Sequence, residues 1–515
     1  MKFSKYVMLA GAAALMTACS SEEPANGGQQ NAASGDEMYF AINVIGNQTR
    51  ADGAELAGES DIQRLQIFIL DQDENLYFEK TVEAEKIDAN GMATFGVTSV
   101  TYNEMLGRVN DGTQMKIMVY ANGTGSLDNS EDLLHGVTSN PTWKTSDNVG
   151  FVMSNAAEVL TTFKDPGDSK GTAEDPWVIA EPIELARLAT RFEYSNENKD
   201  TKALHESGLT MSVTGFDVVT FATTTYRIPQ FSADGKMPAT LTSTNHCHFE
   251  PTAELPYRVT QDVTSDDNRL YRQYNYNLTK DNAYTYERPN TVPTSFTQFA
   301  AKAAYKTVPF AAVKAEFKCT NFAGTGNPSA SMAAKKEVYA INGIFIGGFE
   351  DFKMLREAGL KFKINYTETA TIKFSQAEKS MIEKIENNYN RLLDMALPTD
   401  YNKEGDNAAT EADDIAWFKQ NLGDLDIYTT TDGHYYTYYA HLILNDKDAS
   451  SNYWKYGVSR NTSYALTVNS FKYLGNSGGG RPGDGPTAAE LDDAALQFSV
   501  TVKPWTLNVG NKWDL

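Results

Sequence analysis

Starting at Met38 the chain alternates. Met38, Phe40, Ile42 and Val44 are apolar and share one face of an extended backbone, which predicts a strand over 38–45. The polar, glycine-bearing run "QTRADGAELAGESD" follows at once and predicts an exposed loop that carries Arg50. From Ile62 the segments "IQRLQIFIL" and "NLYFEKTVE" flank "DQDE", the pattern of a hairpin, and "MKIMVYAN" (115–122) predicts a further strand. A second block opens near "EPIELARLATRFEYS" (181–195). It carries strand signals in "LTMSVTGFDVVTF", "AAVKAEFKC", "HYYTYYAHLIL" and "SRNTSYALTVNSFKYLGN".

Three segments of this block change period and predict helical inserts. In "SQAEKSMIEKIENNYNRLLDMAL" (375–397), Ile382, Ile385, Tyr389, Leu392 and Ala396 fall on one helical face, with Ser375 and Glu378 placed as a capping box. "FEDFKMLREAG" and "ADDIAWFKQNLG" are shorter helices that stop at glycine. The chain then runs through "SGGGRPGDGPTAAELDDA", a break of linker composition that spans on the order of 20–25 Å if flexible.

Beyond the break the alternation returns. Leu496, Phe498, Val500 and Val502 are apolar on even positions; Trp505, Leu507 and Val509 are apolar on odd ones. The phase changes at Lys503-Pro504, where proline cannot donate a ladder bond and a bulge or kink is expected. A strand of this kind needs a sheet to cover its apolar face and open backbone groups. The linker lets it leave its own domain, so the expectation is a terminal strand that projects away from the chain.

Composition agrees with a mainly β protein: 27 Tyr and 25 Phe among 515 residues, a length that calls for more than one domain. The formal net charge of -22 argues against nucleic acid or an anionic membrane surface as partner. Three cysteines at this length exclude a disulfide scaffold; Cys247 and Cys319 are left open as paired or free.

No chemical motif points to an enzyme. The cluster His246-Cys247-His248 lacks a second set of ligands at metal-site spacing and reads as ordinary strand or loop. His434 and His441 sit in a tyrosine-rich strand and read as structural. "DQDEN" and "NDKDASSN" lack the glycine and glutamate of an EF-hand loop and read as turns. "GNSGGGRPG" has neither the strand-to-helix setting nor the lysine of a phosphate loop. No cofactor and no metal are expected.

The first residues read as an address: Lys2 and Lys5, an apolar run from Tyr6 to Met16, then "LMTAC" ending in Cys19. This resembles the lipobox of bacterial lipoproteins, which implies acylation of Cys19. The acids of "SSEEP" resemble the surface-export signal of lipoproteins of the Bacteroidota.

Taken together, "LMTACSSEE", "FAINVIGNQTRADG", "IELARLATRFEYS", "SRNTSYALTVNSFKYLG" and the terminal "FSVTVKPWTL" resemble the fimbrillins, subunits of the protease-assembled pili of Bacteroidota. The resemblance is greatest to Mfa-type stalk subunits. It implies two transthyretin-like β-sandwich domains in tandem, with helical inserts in the second and a C-terminal donor strand. The boundaries it implies are a signal peptide over 1–19, a pro-segment with a removable first strand over 20–50, and sandwiches over 51–182 and 183–475. A linker over 476–495 and the donor strand over 496–515 complete the chain.

The resemblance further implies export to the outer membrane on a lipid anchor. An arginine-specific protease would then cut between Arg50 and Ala51, the strand bearing Met38, Phe40, Ile42 and Val44 would be lost, and copies would polymerise head to tail. Partners so implied are other copies of the chain and accessory tip and anchor proteins. A tip or anchor subunit and a surface glycan-binding lipoprotein are the alternatives.

Overall fold

A computed structural model of the chain describes residues 37–46, 61–88, 91–110, 112–123, 137–139, 150–162, 171–200, 209–219, 221–222, 224–228, 257–258, 283–286, 288–289, 310–319, 336–366, 368, 370, 372–401, 410–445, 457–478 and 496–504. The protein is mainly β, with several sheets and a helical layer.

The first part of the chain supplies β1 (Glu37–Gly46), β2 (Arg64–Leu70), β3 (Leu76–Glu83), β4 (Met92–Thr98) and β5 (Gln114–Ala121). It continues with β6 (Val137–Ser139), β7 (Met153–Asn155), β8 (Val159–Thr162), β9 (Trp177–Val178) and β10 (Ile183–Arg187). All but β6 join one nine-stranded sheet in the order β3-β2-β5-β7-β10-β1-β4, with β8 on β5 and β9 on β1. The hairpin β2–β3 turns on Asp71, whose Oδ1 accepts from the backbone N–H of Asp73 and of Asn75, both at 2.9 Å. Asp71 thus closes an Asx-type turn.

The chain changes sheet at Leu188, between β10 and β11 (Ala189–Asp200). Next come β12 (Leu209–Val219), β13 (Phe221–Ala222), β14 (Thr224–Tyr226), β15 (Tyr257–Arg258), β16 (Ala283–Tyr286), β17 (Arg288–Pro289) and β18 (Phe310–Cys319). They are followed by β19 (Glu337–Ile341), β20 (Ile344–Gly347), β21 (Asp426–Thr429), β22 (Tyr435–Leu442), β23 (Gly457–Val458), β24 (Thr462–Phe471) and β25 (Leu496–Pro504). One sheet runs β16-β11-β24-β25 and another β12-β18-β22, while β19 pairs β20 and β21.

The helices are α1 (Ser99–Asn110), α2 (Phe349–Glu357), α3 (Gln376–Leu393), α4 (Pro398–Tyr401) and α5 (Glu411–Leu422). Three of them lie on the predicted inserts. In α3 the Glu378 N–H donates to Ser375 Oγ at 3.2 Å and the Ser375 N–H to Glu378 Oε2 at 2.6 Å, the reciprocal box read from sequence. Ile382, Ile385, Tyr389 and Leu392 are buried; Ala396 lies beyond the helix end at Leu393 and is only partly covered. The aromatic packing of Phe352, Phe362, Tyr389 and Phe418 holds α2, α3 and α5 to one another, and Phe418 also meets Tyr339 of β19.

The apolar side chains gather into separate clusters. One is built on β1–β10, another on β11–β24 and the helices, and a smaller one around Phe68, Tyr120, Leu188 and Tyr286 lies at the changeover. Polar pins cross there as well. The Arg187 N–H donates to Asn461 Oδ1 at 3.2 Å, the Asn461 N–H to the Ala189 carbonyl at 2.8 Å, and Thr190 Oγ1 to the Ser459 carbonyl at 2.5 Å.

The terminal strand departs from expectation. It does not project away: β25 lies antiparallel on β24 of its own chain through nine residue pairs, from Phe471↔Leu496 to Thr462↔Pro504. The physical reason is the edge of β24, a row of open backbone groups within reach of the 476–495 linker. A bulge between Val468 and Ser470 adjusts the register, and Asn469 Nδ2 donates to Ser499 Oγ at 3.1 Å. The strand ends at Pro504; Trp505, Leu507 and Val509 lie outside the described residues.

Candidate functional site: the first strand and its groove

Strand β1 begins as a period-two pattern and ends as the middle of a sheet. Along β4 it makes a continuous antiparallel ladder of seven pairs, Glu37↔Thr98 to Asn43↔Met92. Its other edge is held in pieces, both parallel: Phe40 and Ala41 pair with β9, and Val44 to Gly46 pair with β10. Single backbone bonds reinforce it, from Tyr39 N–H to the Gly171 carbonyl (2.9 Å) and from Ile179 N–H to the Ala41 carbonyl (3.2 Å), while Val44 N–H to the Gly91 carbonyl (2.9 Å) extends the β4 side.

The apolar face of β1 is part of the core. Phe40, Ile42 and Val44 are at 0% exposure, and Met38 is partly buried against the same cluster. Phe40 sits in a socket of three rings, with centroids 6.0 Å from Phe95, 5.7 Å from Tyr102 and 5.2 Å from Trp177. On the opposite face Ala41 is also at 0% exposure, so a bulky residue does not fit there without movement.

Asn43 faces the break between β9 and β10. Its Oδ1 is buried with no hydrogen-bond partner among the described residues. Beside it opens a groove of about 350 Å³ lined by Met92, Thr161, Trp177, Glu181 and Pro182. The break lies where the chain bulges through Ala180–Pro182 instead of continuing the ladder.

Cys19, Arg50, Ala51 and the cluster His246-Cys247-His248 lie outside the described residues. Cys319 ends β18, paired in register with Leu209. His434 stands on the outer side of β22's sheet with Nδ1 2.6 Å from Glu316 Oε1. Burial would raise the Glu316 carboxyl, but hydrogen bonds from His434 and Lys318 outweigh it and hold it below the usual range. His441 Nδ1 lies 2.8 Å from the Leu442 carbonyl. Among the described residues there is no cluster of three or more His, Cys, Asp or Glu fit for a metal ion. No helix among them is long and apolar enough to cross a membrane.

Two family models match. Residues 38–187 match the major fimbrial subunit protein (FimA), and residues 428–511 match the C-terminal part of the major fimbrial subunit protein type IV, fimbrillin. Across these segments the chain belongs to the fimbrillins. No curated protein matches it.

A fimbrilin (FimA) from Porphyromonas gingivalis W83 is similar in structure at 11% identity and TM-score 0.39, over 91% of this chain and 98% of that one. A cell adhesion protein from Parabacteroides distasonis ATCC 8503 is similar at 12% identity and TM-score 0.45, over 91% and 98%. The fimbrial anchor protein Mfa2 from Porphyromonas gingivalis is similar at 13% identity and TM-score 0.22, over 36% and 60%.

In this fimbrillin the first matched segment starts within β1 and ends with β10, so it contains the groove whole. The second contains β22 to β25, hence the terminal strand and the strand it lies on. Sequence reading named the strand and missed its socket. The alternation of "MATFGVT", now β4, was a usable signal for Phe95. Nothing local marks Tyr102 on α1 or Trp177 as neighbours of Phe40.

Proposed function

We propose that this fimbrillin is a structural subunit of a cell-surface fimbria that supports adhesion and polymerises by strand exchange. It is exported as a lipoprotein through Cys19 and cut by an arginine-specific protease between Arg50 and Ala51. The fragment carrying β1 leaves, and β25 of another copy takes its place. Accessory tip and anchor subunits complete the fibre.

The observation that carries this reading is the position of β1. It is the earliest described strand and yet lies interior to its sheet, paired on both edges, with its apolar face in the core. A single cut behind it makes it a separate peptide, and its loss opens a groove with two unpaired edges and a bare apolar floor. Such a groove drives β-strand addition.

The parked position of β25 fits the same scheme. Among the described residues the strand is paired along one edge, that facing β24; Val500 is half-buried, and Ser499 and Thr501 are exposed. In the groove a strand is paired on both edges over positions at 0% exposure, such as Ile42 and Val44. A large apolar side chain taken from half to full burial gains roughly 1 kcal/mol, so transfer runs downhill once β1 has gone. Because donor strand and groove are different surfaces, the contact propagates into a fibre instead of closing.

Mass spectrometry of the protein stripped from cells tests the processing. An N-terminus at Ala51 is expected, and Arg50→Ala should leave uncut monomers. An acylated Cys19 on the mature surface protein would sink the reading in favour of a resident surface lipoprotein.

A further inference from the structure

We infer that β25 of a second copy enters the β1 groove in a single register, with Phe498 in the ring socket that Phe40 occupies. The inference rests on the exchange proposed above and assigns its partner residue by residue. Met38-Tyr39-Phe40-Ala41-Ile42-Asn43-Val44 then lies under Leu496-Gln497-Phe498-Ser499-Val500-Thr501-Val502, running in the same direction.

Independent positions of the groove agree on this alignment. The socket formed by Phe95, Tyr102 and Trp177 holds one aromatic ring. The apolar face of β25 offers one, Phe498. A slip of two residues puts Leu496 or Val500 into the socket and forces the ring onto the place of Ile42 or Met38, respectively, trading a void for an overfilled core. A slip of one turns the whole apolar face outward.

Ala41, fully buried on the other face, demands a small residue, and Ser499 is the smallest that β25 presents there beside Gln497, Thr501 and Lys503. Thr501 replaces Asn43, whose buried side-chain Oδ1 has no partner among the described residues, with a β-branched side chain and a shorter polar group. Pro504 arrives at Gly46, the last pair of the ladder with β10, where a missing N–H costs least.

Cross-linking reads the register directly. Met92 stands opposite Asn43 and Thr94 opposite Ala41 in the β1–β4 ladder. With Cys247 and Cys319 changed to serine, Met92→Cys combined with Thr501→Cys is expected to give, on oxidation of processed fibres, a ladder of covalent multimers. Met92→Cys with Ser499→Cys or with Lys503→Cys should leave subunits that run singly on a non-reducing gel. Thr94→Cys with Ser499→Cys probes the same register by a separate pair, should the first variant fail to fold. Fibres that cross-link through 92/499 or 92/503 and not through 92/501 or 94/499 would overturn the register and leave strand exchange standing. Processed parental chains that never form fibres would overturn both.

Discussion

Glu378 shows how one side chain ties a helix to a strand end. It caps α3 by accepting from the Ser375 N–H, accepts a hydrogen bond from the Tyr473 hydroxyl at 2.6 Å and lies 2.6 Å from Lys472 Nζ. Burial would raise its pKa, but the bonds from Lys472, Tyr473 and Ser375 outweigh this and hold the carboxyl at about 2. A carboxyl depressed in the folded state adds stability that is fully present above its unfolded pKa and fades as pH falls through the folded one. The window here runs from the ordinary 4.5 down to about 2. Glu378→Gln should therefore lower Tm at pH 7 and leave it nearly unchanged near pH 2, measured by circular dichroism. Equal losses at both pH values would show that the cap and ion pair are not what the carboxylate supplies.

At the scale of elements, the sequence was most legible where one period ran unbroken. β1, the hairpin β2–β3, β24 and the capped helix α3 follow from alternation or from 3.6-residue spacing alone. α1 did not show itself. Val100 and Thr101 are poor helix formers, Gly107 lies inside it, and among the described side chains Tyr102 and Met105 mark its buried side. The β19–β20 hairpin carried a signal that went unread: Asn342 and Gly343, both at positive φ (50° and 73°), as a type I′ turn needs.

The destination of β25 was beyond reach for a different reason. Periodicity tells which face of a strand is apolar and says nothing about which of several open edges receives it. The groove has the same character, since Phe40 was readable as a core residue and its socket is assembled from three distant segments. That socket yields a test. Phe40→Ala removes the ring at the centre of the cluster and should weaken the hold on β1 by about 3–5 kcal/mol. After cleavage at Arg50 the fragment should dissociate faster and fibres should start with a shorter lag, followed by native mass spectrometry and light scattering. An unchanged lag would mean that departure of β1 does not limit assembly.

At the scale of the whole molecule, β1 and β25 are joined by one line of paired strands. β1 pairs in parallel with β10; β10 passes through Leu188 into β11; β11 pairs in parallel with β24, on which β25 lies. The buried pins among Arg187, Thr190, Ser459 and Asn461 hold the changeover between the two main cores. Under the proposed exchange, the groove of β1 and the strand β25 are the two surfaces that a head-to-tail subunit requires. The strongly negative charge of the chain, formally -22 over all 515 residues, opposes assembly at long range, so the proposed contact must rest on close packing and backbone ladders.

The most direct measurement removes the strand that is proposed to join copies. A chain lacking residues 496–515 and cleaved at Arg50 should remain folded and monomeric by size-exclusion chromatography, with no fibres by electron microscopy, while the full chain polymerises. Fibres of normal length from the truncated chain would contradict strand exchange through the C-terminus.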